Sequence, residues 1–280
     1  MQNITIGKSG IEVPFLGMGT WAIGGGSWWG DNDDALSVKA IEAAVEQGIR
    51  WIDTAPIYGL YHSEQVVGEA LRHIDRDKVV LSTKCGLEWR HETPVLHKVV
   101  DGTAVYRDLS AQSIIEDVEE SLKRLGTDHI DLYYQHRLDR KVPIEEVAGV
   151  MADLIREGKI THWGLSEATE ETIRRAHAVC PVTTIQNRYS MMARWCESLF
   201  PVLEELHIGY VAFSPLANGF LSGKYDKTSK FEAGTDYRSV MPQFQPDSID
   251  QNRALLELFH RLAAEKNATP AQISLAWMLC

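Results

Sequence analysis

The chain has 280 residues, 44% of them hydrophobic, enough to bury a large core either as one α/β barrel or as two modest domains. A formal net charge of −11, with no long basic run, argues against nucleic acid as the main partner, because a phosphate-binding surface needs clustered Lys and Arg. The four cysteines, Cys85, Cys180, Cys196 and Cys280, show neither a CxxC nor a Cys/His ligand spacing, which excludes a disulfide scaffold and a zinc site and points to reduced thiols. The opening MQNITIGKSG has no basic start and no apolar signal core, and no apolar run is long enough to span a bilayer, so a soluble, cytoplasmic protein with no membrane and no metal is expected.

Taken in chain order, the sequence alternates strand and helix. Ile4-Thr5-Ile6 and Ile11-Glu12-Val13 around Gly7-Lys8-Ser9-Gly10 predict a small hairpin that Pro14 ends. Residues 15–20 read as the first buried strand. A helix follows over 34–47, with Leu36, Ala40, Ile41, Ala44 and Val45 on its apolar face and Gly48 as its stop. Further strands begin near Trp51, Val79, Ile130, Ile160, Thr183 and Gly209. Between them, 63–72, 110–125, 143–156, 169–178 and 197–206 carry helical periodicity. Ser110 supplies a cap, Ile114, Val118, Leu122 and Leu125 form a stripe, Gly126 stops that helix, and Pro143 suits a first turn.

Strands separated by single helices imply parallel right-handed crossovers. Seven of them, with no GxGxxG turn after the first, favour a (β/α)8 TIM barrel with an N-terminal hairpin over a dinucleotide-binding sheet. No linker or low-complexity stretch divides residues 1–280, so one domain is expected. Two connections, 86–109 and 218–249, are too long for simple turns and are expected to rise as lids or substrate walls. A barrel of eight also needs one more strand and helix than the sequence supplies before Cys280, so the C-terminus reads as truncated.

Chemistry gathers at the ends of the strands. Trp51-Ile52-Asp53 closes on a carboxylate, with Tyr58 five residues on. Val79-Val80-Leu81-Ser82-Thr83-Lys84 closes on an amine and Leu132-Tyr133-Tyr134-Gln135-His136 on an imidazole. In a parallel barrel these ends share one face, where active sites sit. A phenol with a reference pKa of about 10 is too weak an acid near neutrality. A neighbouring ammonium lowers that pKa, a carboxylate behind the amine keeps it charged and aimed, and a histidine orients a carbonyl or shares the proton. Such a set protonates a carbonyl oxygen as hydride arrives at carbon.

Here the sequence resembles a known family, the aldo-keto reductases, across essentially its whole length, from Leu16-Gly17-Met18-Gly19-Thr20-Trp21 to Thr269-Pro270-Ala271-Gln272. The most specific stretches are Asp53-Thr54-Ala55-Pro56-Ile57-Tyr58-Gly59 with Ser63-Glu64 and Gly68, and Leu122-Lys123-Arg124-Leu125-Gly126-Thr127-Asp128-His129-Ile130-Asp131-Leu132. Phe213-Ser214-Pro215-Leu216 and Gly223-Lys224-Tyr225 add to them. The resemblance implies a barrel enzyme that reduces aldehydes and ketones reversibly with NADP(H), a small-molecule carbonyl substrate, and a catalytic tetrad of Asp53, Tyr58, Lys84 and His136 in which Tyr58 gives the proton. It further implies that Ser166 and Gln186 hold the nicotinamide carboxamide and that Phe213 stacks on the ring. Ser214, Leu216, Ala217 and Asn218 would line the pyrophosphate, Lys224 and Arg238 would supply positive charge, and Gly19, Thr20 and Trp21, with Asp53, would meet the nicotinamide side.

Two features depart from the family pattern. Glu167 stands where many relatives have Asn, and no segment matches the one that holds the adenosine 2′-phosphate, so NADP over NAD rests on analogy. Two other readings stay open: a nucleotide-sensing partner protein like the potassium-channel β-subunits, which carry Asn at the position of His136, and a truncated copy with impaired cofactor binding. Substrate identity and oligomeric state are not specified by the sequence.

Overall fold

The structure is a computed structural model and describes residues 2–280. Seven strands form one sheet: β1 Met18–Gly19, β2 Trp51–Asp53, β3 Val80–Cys85, β4 Ile130–Gln135, β5 Ile160–Ser166, β6 Thr184–Arg188 and β7 Gly209–Phe213. Their spatial order is their chain order, β7-β6-β5-β4-β3-β2-β1, and the pairings from β1 through β6 are parallel. The first six are each followed by a helix: α1 Asp34–Glu46, α2 His62–Leu71, α3 Ala111–Leu125, α4 Ile144–Arg156, α5 Glu170–Val179 and α6 Phe200–Leu206. This is the α/β succession expected, and the described residues supply seven strands of it. The expected hairpin is present as Asn3–Thr5 paired with Glu12–Pro14.

The helix starts follow side-chain capping. Asp33, Ser110 and Thr169 each accept the backbone N–H three residues on, at 3.0, 3.4 and 3.3 Å. Gly126 closes α3 in the left-handed region at φ 65°. Several expectations are corrected. β1 is two residues long rather than six, because only Met18 and Gly19 pair with Ile52 and Asp53. Leu36 is 65% exposed, and α1 buries Ser37 and Ile41 instead. Pro143 has extended backbone and precedes α4. The helix expected over 197–206 is a 3-10 turn, Trp195–Leu199, that runs into α6.

The chain divides into two compact units, one ending at Gln186 and including Pro201–Tyr210, the other made of Asn187–Phe200 and Val211–Cys280. In the first, Ile41, Ile52, Val66, Val67, Leu81 and Leu125 form a buried cluster between β2, β3 and the helices α1 to α3. The connection 86–109 belongs to this unit and is a three-stranded antiparallel sheet of Leu87–Glu88, Leu96–Val100 and Thr103–Arg107. Its Leu87, Val100 and Val105 pack on Ala55 and Ile57. In the second unit, the connection 218–249 is a set of 3-10 turns around a core of Phe220, Leu221, Met241, Phe244 and Phe259. Helices α7 Pro246–Gln251, α8 Arg253–Lys266 and α9 Pro270–Trp277 complete it, α9 opening on a capping box between Thr269 and Gln272. No helix among the described residues is long and apolar enough to cross a membrane.

The Ser63-Glu64 and Gly68 motif is explained by packing. Glu64, fully buried on α2, accepts from Arg124 Nε on α3 at 2.6 Å and from Thr83 Oγ1 on β3 at 2.6 Å. The two helices meet so closely that a Cβ on Gly68 would sit 2.2 Å from the Arg124 carbonyl oxygen. Removing the cation leaves a buried carboxylate without its partner, a loss of about 3–5 kcal/mol. Arg124→Met is therefore expected to lower the free energy of urea unfolding by about that much. A change below about 1 kcal/mol would show that the Glu64 carboxylate does not depend on this cation.

Candidate active site

Three hydroxyls fasten the loop after β2. Thr20 N and Thr20 Oγ1 donate to the Asp53 carbonyl at 2.9 and 3.1 Å, Ser63 Oγ lies 2.8 Å from Thr20 Oγ1, and Thr54 Oγ1 lies 3.0 Å from Ser63 Oγ. The backbone then turns tightly, Tyr58 N donating to Ala55 O at 3.1 Å and Ser63 N to Tyr58 O at 3.0 Å. Gly59 sits at φ 66°, where a Cβ would lie 2.1 Å from Gly24 O, and a Cβ on Gly24 would strike the Tyr58 carbonyl carbon at 2.5 Å. Two side-chain-free backbones thus touch directly beneath Tyr58. Gly24 carried no sequence signal of its own. Only the close approach identifies it.

The four expected catalytic residues meet at the ends of β2, β3 and β4. Lys84 Nζ, almost fully buried, donates to Asp53 Oδ2 at 2.8 Å and to the Thr54 carbonyl at 2.8 Å. It lies 5.1 Å from the centroid of the Tyr58 ring. Asp53 Oδ1 accepts from Ser82 Oγ at 2.8 Å and from Gln186 Nε2 at 3.0 Å, so the carboxylate is held on both oxygens. His136 is buried, with its ring edge-on to Tyr58 at 6.1 Å between centroids. One acid, one amine, one phenol and one imidazole therefore lie together within the first unit.

The electrostatics differ from expectation in one respect. Burial raises the Tyr58 pKa, the Lys84 charge pulls it down, and Asp53 pushes it up again; the balance is upward. Lys84 thus offsets desolvation and does not overcome it, because the carboxylate that holds the amine also repels a phenolate. Tyr58 is accordingly a protonated donor at neutral pH. For Lys84, burial disfavours the charged form, but Asp53 and Tyr58 outweigh it and the pKa rises. Burial, then Lys84 and Arg137, hold His136 well below the usual imidazole range. A neutral imidazole contributes a hydrogen bond and no proton transfer of its own.

Ser166, the last residue of β5, and Gln186, midway along β6, are both buried and pair side by side. Glu167, at φ 53°, faces Arg137 Nη1 at 3.3 Å, and Arg137 also donates to the His136 carbonyl at 3.0 Å. Gly19 ends β1, and Thr20 is the buried anchor already described. The Trp21 ring lies 6.4 Å from Tyr58 and packs edge-on against Trp28 and Trp29. In the second unit, Phe213 ends β7 with the Arg188 guanidinium 5.8 Å over its ring. Ser214, Ala217 and Asn218 all have positive φ, so the backbone after Phe213 curls tightly through Leu216 toward Gly219. Lys224 is exposed. Arg238 is engaged by Asp236 through Nε at 2.8 Å and Nη2 at 2.6 Å, and it also donates to the Tyr225 hydroxyl.

The comparisons with known proteins identify the family. The family description "Aldo/keto reductase family" matches residues 15–280. A probable aldo-keto reductase 1 of Glycine max is 38% identical over 283 residues, covering 100% of this chain and 77% of that protein. Aldo-keto reductase YhdN of Bacillus subtilis (strain 168) is 37% identical over 282 residues, covering 100% of this chain and 81% of that protein. Among solved structures, the glycerol dehydrogenase AKR11B4 from Gluconobacter oxydans superposes with a TM-score of 0.88 at 34% identity, covering 99% of this chain and 82% of that one. With the strand order and these matches together, the chain belongs to the aldo/keto reductase family.

Proposed function

We propose that this protein reduces aldehydes and ketones to alcohols, and runs the reverse reaction, with Tyr58 as the proton donor and an NADP(H) cofactor. The observation that carries the reading is the buried Lys84 ammonium, fixed by Asp53 at 2.8 Å and lying 5.1 Å from the centre of the Tyr58 ring. The residues fit a nicotinamide: Ser166 and Gln186 are adjacent buried polar groups on paired strands, suited to an amide that both donates and accepts. When bound, the cofactor supplies hydride.

The chain's own residues do the rest. Neutral His136 hydrogen-bonds the substrate carbonyl and holds it beside the Tyr58 hydroxyl. The Tyr58 proton passes to the carbonyl oxygen as negative charge develops there, and the Lys84 ammonium stabilises the phenolate left behind. Asp53 keeps Lys84 charged and aimed. Trp21 forms an apolar wall that keeps water from the reacting centre. In the second unit, the curled backbone at Ser214, Leu216, Ala217 and Asn218 is the candidate cradle for a pyrophosphate, with Lys224 as its cation. Arg238 takes such a role only by exchanging Asp236 for a phosphate. The substrate is a small carbonyl compound, and the protein acts in the cytoplasm.

The test is the fall in nicotinamide absorbance when an aromatic aldehyde is added to protein and NADPH. Parallel runs with NADH measure the preference between the two cofactors. Saturable binding of NADPH with no turnover of any aldehyde or ketone would overturn the enzymatic reading.

A further inference from the structure

The first unit holds cations that the tetrad does not use. Lys98, half-buried on the strand Leu96–Val100, lays its Nζ 3.9 Å over the Trp28 ring. Among the described residues no carboxylate forms an ion pair with it. Burial and the Arg137 charge bring its pKa down to about 8, with no acid pulling it back. Arg107 donates to the Leu138 carbonyl at 3.1 Å and reaches His97 Nδ1 at 3.4 Å. His97 is neutral at pH 7, its pKa lowered to about 4 by burial and by Lys98, Arg107 and Arg137. Lys98, Arg107 and Arg137 are thus three cations answered by one carboxylate, Glu167, which sits 3.3 Å from Arg137. The whole chain carries a net −11.

A local positive focus on an acidic protein attracts anions. A partly desolvated ammonium without a counter-ion is costly unless something completes it. Its position relative to the tetrad says what. Trp28 lies edge-on to Trp21 at 5.6 Å, Trp21 lies 6.4 Å from Tyr58, and Tyr58 lies 6.1 Å from His136. Indole rings therefore separate the Lys98 charge from the proton donor, while the charges of Lys98 and Arg137 are both felt at His136.

We propose that Lys98, supported by Arg137, forms a carboxylate subsite selecting carbonyl substrates whose negative charge is separated by an apolar spacer from the reducible carbon. The flanking Trp28 and Trp21 suit an aromatic or alkyl spacer. The proposal rests on the reductase reading for the identity of its ligand as substrate.

The experiment compares 4-carboxybenzaldehyde with its neutral methyl ester, methyl 4-formylbenzoate, in NADPH-dependent reduction. The wild type is expected to favour the acid in kcat/KM. Lys98→Met is expected to reduce the acid-to-ester ratio by at least about tenfold, chiefly through KM, and Lys98→Arg to restore most of it. Calorimetric titration with 4-methylbenzoate gives a readout that needs no turnover: saturable binding in the wild type, lost in Lys98→Met. An unchanged acid-to-ester ratio in Lys98→Met, or no binding of 4-methylbenzoate to the wild type, overturns the subsite and leaves the reductase standing. Lys98-dependent binding of 4-methylbenzoate without reduction of either aldehyde supports the subsite and overturns the reductase reading instead.

Discussion

Tyr58→Phe is expected to lower turnover of an aromatic aldehyde by at least about two orders of magnitude, while NADPH binding changes little. The substitution removes one oxygen and leaves the ring that packs against Trp21 and His136, so the surrounding packing is kept. What disappears is the acid placed to give up its proton: the Lys84 ammonium is tied to Asp53 and Thr54, and His136 is held neutral by burial and by neighbouring cations. Steady-state kinetics with a fluorescence titration of NADPH separates the two effects. Turnover within tenfold of wild type would assign the proton to another group. Because the Tyr58 pKa is shifted upward by burial, the donor stays protonated across neutral pH, and loss of the reduction rate is expected only on the alkaline side.

Lys84→Met is expected to lower both turnover and stability. The ammonium is the charge that opposes burial at Tyr58, so its loss leaves the phenolate unsupported as the proton departs. It also leaves Asp53 facing Ser82 and Gln186 with no cation in a largely buried setting. Truncating one partner of a buried pair costs about 3–5 kcal/mol, most of it the penalty on the charge that remains. A double-mutant cycle checks this cause. Asp53→Asn in the Lys84→Met background should recover part of the lost unfolding free energy and none of the activity. If the double variant is destabilised by the sum of the two single changes, the pair is not coupled and the account of Lys84 fails.

The two predictions draw on different parts of the same geometry. The donor effect needs only the hydroxyl. The lysine effect needs the whole chain of contacts from Thr54 to Gln186. Arg124→Met, away from the pocket, probes the same buried-pair argument without touching chemistry. Destabilisation there with normal kcat would show that the α2–α3 pairing and the tetrad are energetically separate.

The alternation of apolar runs and amphipathic stretches determined the order of strands and helices, because burial of one face follows a period that a linear sequence displays. The same alternation determined that Asp53, Lys84 and His136 end successive strands, and the resemblance to the aldo-keto reductases picked out the same three together with Tyr58. Tertiary structure decided what depends on distance through space. Leu36 fits the helical period yet is exposed, because α1 is turned so that Ile41 packs with Ile52 and Leu81. The length of the connection 86–109 points only to a lid or wall; that it is three short strands paired with each other is decided by contacts between segments. The sign of the Tyr58 shift was hidden for a similar reason: a sequence shows which charges are near in order, but desolvation is set by everything packed around the hydroxyl. The contact of Gly24 with Gly59 and the unanswered Lys98 charge arise from approaches between distant segments, so only the folded chain exposes them.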